Sequence, residues 1–209
     1  STTFTAPNTV ETLSFELTVT DIDDLTDTTT VSVDVTGIAP VAVATVSNPT
    51  PLQGDTVTLN GTASTDNLGV VAYAWRQVGE STVTLINSTS ASTTFTAPNT
   101  VETLSFELTV TDVDGLTDTT DVSVDVTGIA PVAVATVSNS APLQGETVTL
   151  DGSASTDNLI VVSYAWRQII VSEGTQVALS DSSLAAPTFT APNTVETLSF
   201  ELTVTDVDG

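Results

Sequence analysis

The sequence predicts an all-β chain: tandem antiparallel β-sandwiches of about 91 residues per module. Three observations carry the prediction. The nineteen-residue stretch from Thr3 to Asp21 recurs unchanged from Thr94 to Asp112 and from Thr188 to Asp206. Phe4, Phe95 and Phe189 stand 91 and 94 residues apart, and Trp75 and Trp166 stand 91 apart. A period near 90 is too long for a helical solenoid and suits a sandwich module. Short runs alternate apolar and polar residues with period two, the pattern of an antiparallel sheet with one face buried.

The period divides the chain into 1–37, the back part of one module; 38–128, a complete module; and 129–209, a module without its last strand. Both incomplete pieces contain the repeated stretch, so they do not complement each other. The expectation is an excerpt of a longer array, consistent with a chain that begins at Ser1. A module lacking a strand could also receive one from a neighbour by β-augmentation.

Within 38–128 the strands are read in order. Residues 41–46 form the first. Thr56–Asn60 forms the second, with Val57 and Leu59 on one face. In 70–77, Val71, Tyr73 and Trp75 share a face opposite Ala72, Ala74 and Arg76. A short strand covers 82–86, and the next holds Phe95. Leu104, Phe106, Leu108 and Val110 then alternate with Ser105, Glu107, Thr109 and Thr111. Last, Val122, Val124 and Val126 alternate with Asp121, Ser123 and Asp125. Turn signals separate the runs at 49–55, 66–69, 79–81, 98–99 and 114–115. Seven short strands in two packed sheets follow, with no helix.

Composition narrows the function. Hydrophobic residues are 40% of 209, enough for packed cores, and Thr and Val favour pleated, half-buried surfaces. Twenty-six acids face two bases, Arg76 and Arg167, for a net charge of −24. Nucleic acid needs cationic contacts, so it is excluded as a main partner. The same balance disfavours anionic membrane surfaces, and no apolar run is long enough to insert as a transmembrane helix. No His, Cys or Lys is present. Ser-His-Asp, Cys-His and Schiff-base catalysis are therefore unavailable. A carboxylate pair remains formally open, but the acids sit on solvent faces and turns. A non-enzymatic chain is expected.

Only oxygen ligands exist, which points to Ca²⁺ or Mg²⁺, with Ca²⁺ the expected cofactor, rather than zinc or copper. The candidate ligands are Asp112 and Asp114 of Asp112-Val113-Asp114-Gly115, their repeats Asp206 and Asp208, and the varied copy Asp21, Asp23 and Asp24. Asp66 with Asn67, and Asp157 with Asn158, lie in loops that sandwich topology brings to the same end. The competing reading is that Asp-Gly simply makes a turn where positive φ is wanted; it is the favoured one, and the two are compatible. At the junctions Asp55, Glu80 and Glu102 of one module are expected to face Asp157, Asp206 and Asp208 of the next, where a cation would relieve repulsion. Trp75 and Trp166 read as core pins rather than sugar platforms, and the two arginines as partners of nearby carboxylates. Three extra residues in the last module place Ile169, Ile170 and Val171 near a hairpin, as a longer strand or a lateral contact. Asn60-Gly61-Thr62 and Asn87-Ser88-Thr89 match glycosylation sequons present in one module alone.

The run VTLNGTASTDNLGVVAYAWRQVG, followed by TFTAP and LSFELTVTDVDGLTDTTDVSVDV, resembles the polycystic-kidney-disease (PKD) domain and its Ig-like relatives in bacterial or archaeal extracellular surface proteins. The resemblance covers essentially the whole chain. One departure is that Trp75 is followed by Arg76-Gln77-Val78-Gly79 rather than by an Asp-Phe-Gly-Asp-Gly-type run; this variant resembles a branch found in large surface and receptor ectodomains. The resemblance implies an extracellular or cell-surface stalk, adhesin or filament-forming protein whose partners are neighbouring modules or copies of itself. The alternatives are a carbohydrate-binding accessory region of a secreted hydrolase and a fibre subunit polymerised by strand exchange.

Overall fold

The computed structural model describes residues 1–170 and 174–209. Thirteen strands and no helix are found among them: β1 (Glu11–Thr20), β2 (Thr26–Val35), β3 (Thr45–Val46), β4 (Thr56–Asn60), β5 (Val70–Val78), β6 (Ser92–Thr96), β7 (Glu102–Asp112), β8 (Thr117–Val126), β9 (Thr136–Val137), β10 (Thr147–Asp151), β11 (Val161–Ile169), β12 (Thr188–Thr190) and β13 (Ser199–Asp206). Among the described residues no helix is long and apolar enough to cross a membrane. The chain divides into two compact units, 1–98 with 102–126, and 99–101 with 127–209.

In the first unit two three-stranded sheets, β3-β4-β6 and β5-β7-β8, enclose one core. Val57, Leu59, Phe95, Leu104, Phe106, Leu108, Val110 and Val124 are fully buried, as the alternation required. Trp75 lies among them at 5% exposure. Phe95 and Phe106 pack across the two sheets with ring centroids 4.8 Å apart. The same unit carries the hairpin β1-β2, whose ladder repeats that of β7-β8 residue for residue. No second sheet covers its apolar face among the described residues, so Phe15, Leu17, Val19 and Val31 remain exposed.

Three local expectations are corrected. The first strand shrinks to Thr45–Val46, because the amides of Ala42 and Val43 bond Asp118 Oδ2 and Ser64 Oγ instead of a ladder. Residues 82–86 form no strand: the Gln77 side chain takes the Val83 amide at 2.7 Å and Ile86 makes an isolated bridge to Thr94. Val83 and Leu85 still pack on the core. Val71 points outward at 62% exposure, because a bulge between Val70 and Ala72 shifts the alternation and leaves Val70, Tyr73, Trp75 and Gln77 inward.

In the second unit β10 pairs with β9 and β12, and β11 pairs with β13. Its core is smaller: Val148, Leu150, Trp166, Phe189 and Ala191 are buried, while Leu198, Phe200 and Leu202 are half-buried. Strand β11 ends at Ile169, and Ile169 and Ile170 are about half exposed; Val171 lies outside the described residues.

Gly61 is the close-approach position of the first core. A Cβ there would stand 2.7 Å from Leu108 Cδ2 and 3.4 Å from Trp75 Cζ2, and Gly152 repeats the arrangement against Leu202 and Trp166. Gly61→Ala is expected to destabilise the first module by about 1–3 kcal/mol through overpacking. A urea unfolding curve followed by Trp75 emission checks it; an unchanged midpoint would mean that Leu108 yields freely.

Candidate functional site

The residues of greatest interest gather at the pole of each sandwich where the incoming chain docks. In the first unit the chain leaves β2 through Gly37-Ile38-Ala39-Pro40, and Pro40 is buried. A Cβ on Gly37 would meet Leu116 Cδ1 at 2.9 Å and Asp114 Oδ2 at 3.0 Å, so the linker backbone lies directly on the 112–116 turn. Val41 then exchanges both backbone hydrogen bonds with Thr65, at 2.7 and 3.0 Å. Ala42 donates to Asp118 at 2.9 Å and Val43 to Ser64 at 3.0 Å. The linker is therefore held to three neighbouring segments: the 64–66 loop, the 112–116 turn and the start of β8. The second unit repeats the pattern. A Cβ on Gly128 would meet Asp208 Oδ2 at 3.0 Å, Val132 pairs with Thr156, and Val134 donates to Ser155 Oγ at 3.0 Å.

The turn acids mostly serve their own backbone. Asp112 Oδ1 accepts the Leu116 amide at 2.8 Å, and Asp21 Oδ1 accepts those of Asp23 and Leu25, each at 2.9 Å. Asp206 Oδ1 accepts those of Asp208 and Gly209. Asp66 caps Leu68 and Gly69, and Asp157 caps Leu159. Such side-chain caps are why Asp favours turns. Gly115 has φ +81°, and Asp24 occupies the equivalent place with φ +59°, a conformation that Asp tolerates better than most residues. The turn is thus kept even where glycine is lost. Asn67, Asp114, Asn158 and Asp208 are exposed, as are Asp23 and Asp24.

Topology does bring the two loops to one end, since Val70 lies opposite Asp112 in the ladder. Among the described residues, however, no three acids group closely enough to hold a metal ion. Asp112 stands apart from the other turn acids. It is 2% exposed, and its Oδ2 has no hydrogen-bond partner.

Elsewhere the polar pairs are simple. Arg76 lies opposite Glu107 in register and bonds it at 2.8 Å, and Arg167 bonds Glu201 at 2.5 Å. These exposed pairs contribute little to stability. Both tryptophans are buried, so neither offers a sugar platform. Hydrogen bonds from Thr175 and Thr194 hold Glu196 below its ordinary carboxylate range. The sequence reading missed Asp118, Ser64 and Ser155, although Ser64 and Ser155 recur at the module period. Nothing local marks a serine as the receiver of an amide 21 positions away.

A family model described as K319L-like, PKD domain, matches residues 44–126 and 136–209. The chain is 34% identical over 201 residues to the mouse "Dyslexia-associated protein KIAA0319-like protein" and 36% identical over 206 residues to the human "Dyslexia-associated protein KIAA0319". These alignments cover 92% and 94% of this chain, which spans only 19% of either relative's length. Among solved structures, the solution structure of the PKD domain from KIAA 1837 protein is 30% identical, covers 45% of this chain and 92% of its own, and superposes with a TM-score of 0.38.

Proposed function

The chain belongs to the K319L-like PKD domain family, and from that premise we propose that it is a non-enzymatic spacer of an extracellular surface protein, with neighbouring modules or copies of itself as partners. The docked linker carries this reading. Tension along the chain enters a module at Val41, which is bonded to Thr65 and followed by the Ala42 bond to Asp118 at the start of β8. It leaves from the far end of β8, at Val126 opposite Glu102. The whole sandwich therefore lies in the load path, and a linker seated on its module sets the spacing between modules. A stalk or adhesin uses a segment of this kind.

Single-molecule pulling tests the reading. The expected trace has one unfolding event per sandwich, each releasing on the order of 300 Å of chain. The second unit should yield at the lower force, because fewer core residues are buried in it among the described residues. Extension of both modules without a force barrier would end the spacer reading.

A calcium contribution is the second reading, favoured by the buried, unpartnered Oδ2 of Asp112 beside the acidic turn. Calcium is expected to raise the first module's melting temperature by about 4 °C over EDTA at equal ionic strength, and Asp112→Asn should remove the difference. Identical melting in calcium and EDTA would dispose of it.

A further inference from the structure

Packing fixes a glycine at position 61, and that glycine makes its neighbour chemically labile. Asn60-Gly61 is the single Asn-Gly pair in the chain. A larger residue is resisted there, since a Cβ would stand 2.7 Å from Leu108 Cδ2. Lacking a Cβ, glycine leaves its backbone nitrogen open to the asparagine side chain before it. The reaction balances with water alone. Gly61 N gives up its proton and bonds Asn60 Cγ, and Nδ2 departs as ammonia. Water then opens the five-membered imide at one of its two carbonyls. Cleavage of the new N–Cγ bond leaves an ordinary aspartate at position 60. Cleavage at the original backbone carbonyl leaves isoaspartate, in which the main chain runs through the side-chain carbon.

The closed sandwich blocks the first step. Asn60 ends β4 and is paired on both sides, with Thr45 and with Ser92. Ring closure needs Gly61 N to swing over Cγ, and the extended backbone of a paired strand holds it away. The same nitrogen donates to Ala91 O at 2.8 Å. Asn60 Oδ1 accepts the Thr62 amide at 2.9 Å and the Ser92 hydroxyl at 3.2 Å, so the side chain is held as well.

The two products would fare differently. The second unit already carries Asp151-Gly152 at this place. There Asp151 Oδ1 accepts the Ser153 amide at 2.9 Å, and Gly152 N donates to Ala185 O at 2.8 Å. An aspartate therefore fits the strand end. Isoaspartate adds a carbon to the main chain immediately before Gly61. That shift would push Gly61 out of its slot against Leu108 and Trp75.

We propose that Asn60-Gly61 is a fold-gated modification site: inert in the closed sandwich, reactive when the first module opens, and able through isoaspartate to keep that module from closing again. The segment then holds a one-way record of its own unfolding. This goes beyond the spacer reading, because the chemistry needs only an open module, whatever opens it.

The test incubates the full chain at mildly alkaline pH with and without denaturant. Mass spectrometry follows the peptide spanning 60–61, and an isoaspartyl methyltransferase with labelled methyl donor is the probe for isoaspartate. Conversion in the folded chain is expected to be at least about tenfold slower, because reaction of a transiently opened state follows its population. After return to buffer in a Trp166→Phe background, chains carrying isoaspartate at position 60 should not regain the emission of buried Trp75. Asn60→Asp should regain it. Equal conversion rates in the two conditions, native Trp75 emission from isoaspartate-bearing chains, or an Asn60→Asp chain that does not refold overturns the proposal.

Discussion

Replacing Phe106 by Ala is expected to cost the first module about 3–5 kcal/mol, while the same substitution at Phe200 costs roughly half as much and at Phe15 less than about 1 kcal/mol. The three phenylalanines sit in identical nineteen-residue stretches. Each also keeps the same local ring contact, with centroids 4.8, 4.9 and 4.7 Å from Phe95, Phe189 and Phe4. Sequence and local packing are thus held constant. What differs is burial: Phe106 is fully enclosed, Phe200 is half-buried, and Phe15 is 38% exposed. A truncated side chain leaves a cavity only where neighbours surround it, so the cost should follow enclosure. Trp75 and Trp166 give one fluorescent reporter per sandwich, and a Trp→Phe background at the other site separates the two transitions in urea. Equal losses at Phe106 and Phe200 would show that β8 adds nothing to the first core.

The second large effect is expected in β8 itself. Val124 is 0% exposed and faces Leu104 across the ladder. Val124→Asp places a carboxylate where no cation is near, and destabilisation of at least about 3 kcal/mol is expected. The strand should leave its slot before the sandwich unfolds, because β8 is the edge strand of β5-β7-β8 and pairs with β7 alone. Binding of a hydrophobic dye to the variant, at denaturant levels where Trp75 is still buried, would report that open form. Loss of Trp75 protection in the same step as dye binding would show instead that β8 and the rest of the core are inseparable.

Much of this fold was legible in the chain. Strands over 56–60, 70–77, 104–111 and 121–126 follow from alternation, which works because side chains on a strand point to opposite faces at every step. Arg76 and Arg167 found the expected carboxylates. The Asp-Gly turn was legible for a similar reason: positive φ and a capping carboxylate are properties of four or five consecutive residues. The misreadings have the opposite character. Val71 was placed inward because a bulge cannot be seen in a period of two. Residues 82–86 alternate like a strand, yet the Gln77 side chain takes the Val83 amide that a ladder would have used. Ser64 and Asp118 hold the linker across 21 and 76 positions of sequence.

The three copies of the repeated stretch mark the boundary between the two kinds of knowledge. The sequence alone determined that each copy forms a strand and leads toward an acidic turn, because those outcomes depend on neighbours along the chain. It could not determine that one copy is sealed in a core, one is half-buried and one lies exposed in a hairpin. Burial depends on which other strands stand across the sheet and on the facing sheet, and the residues that decide it lie outside the stretch itself. Among the described residues the decisive neighbour is β8, which stands beside β7, while β13 pairs with β11.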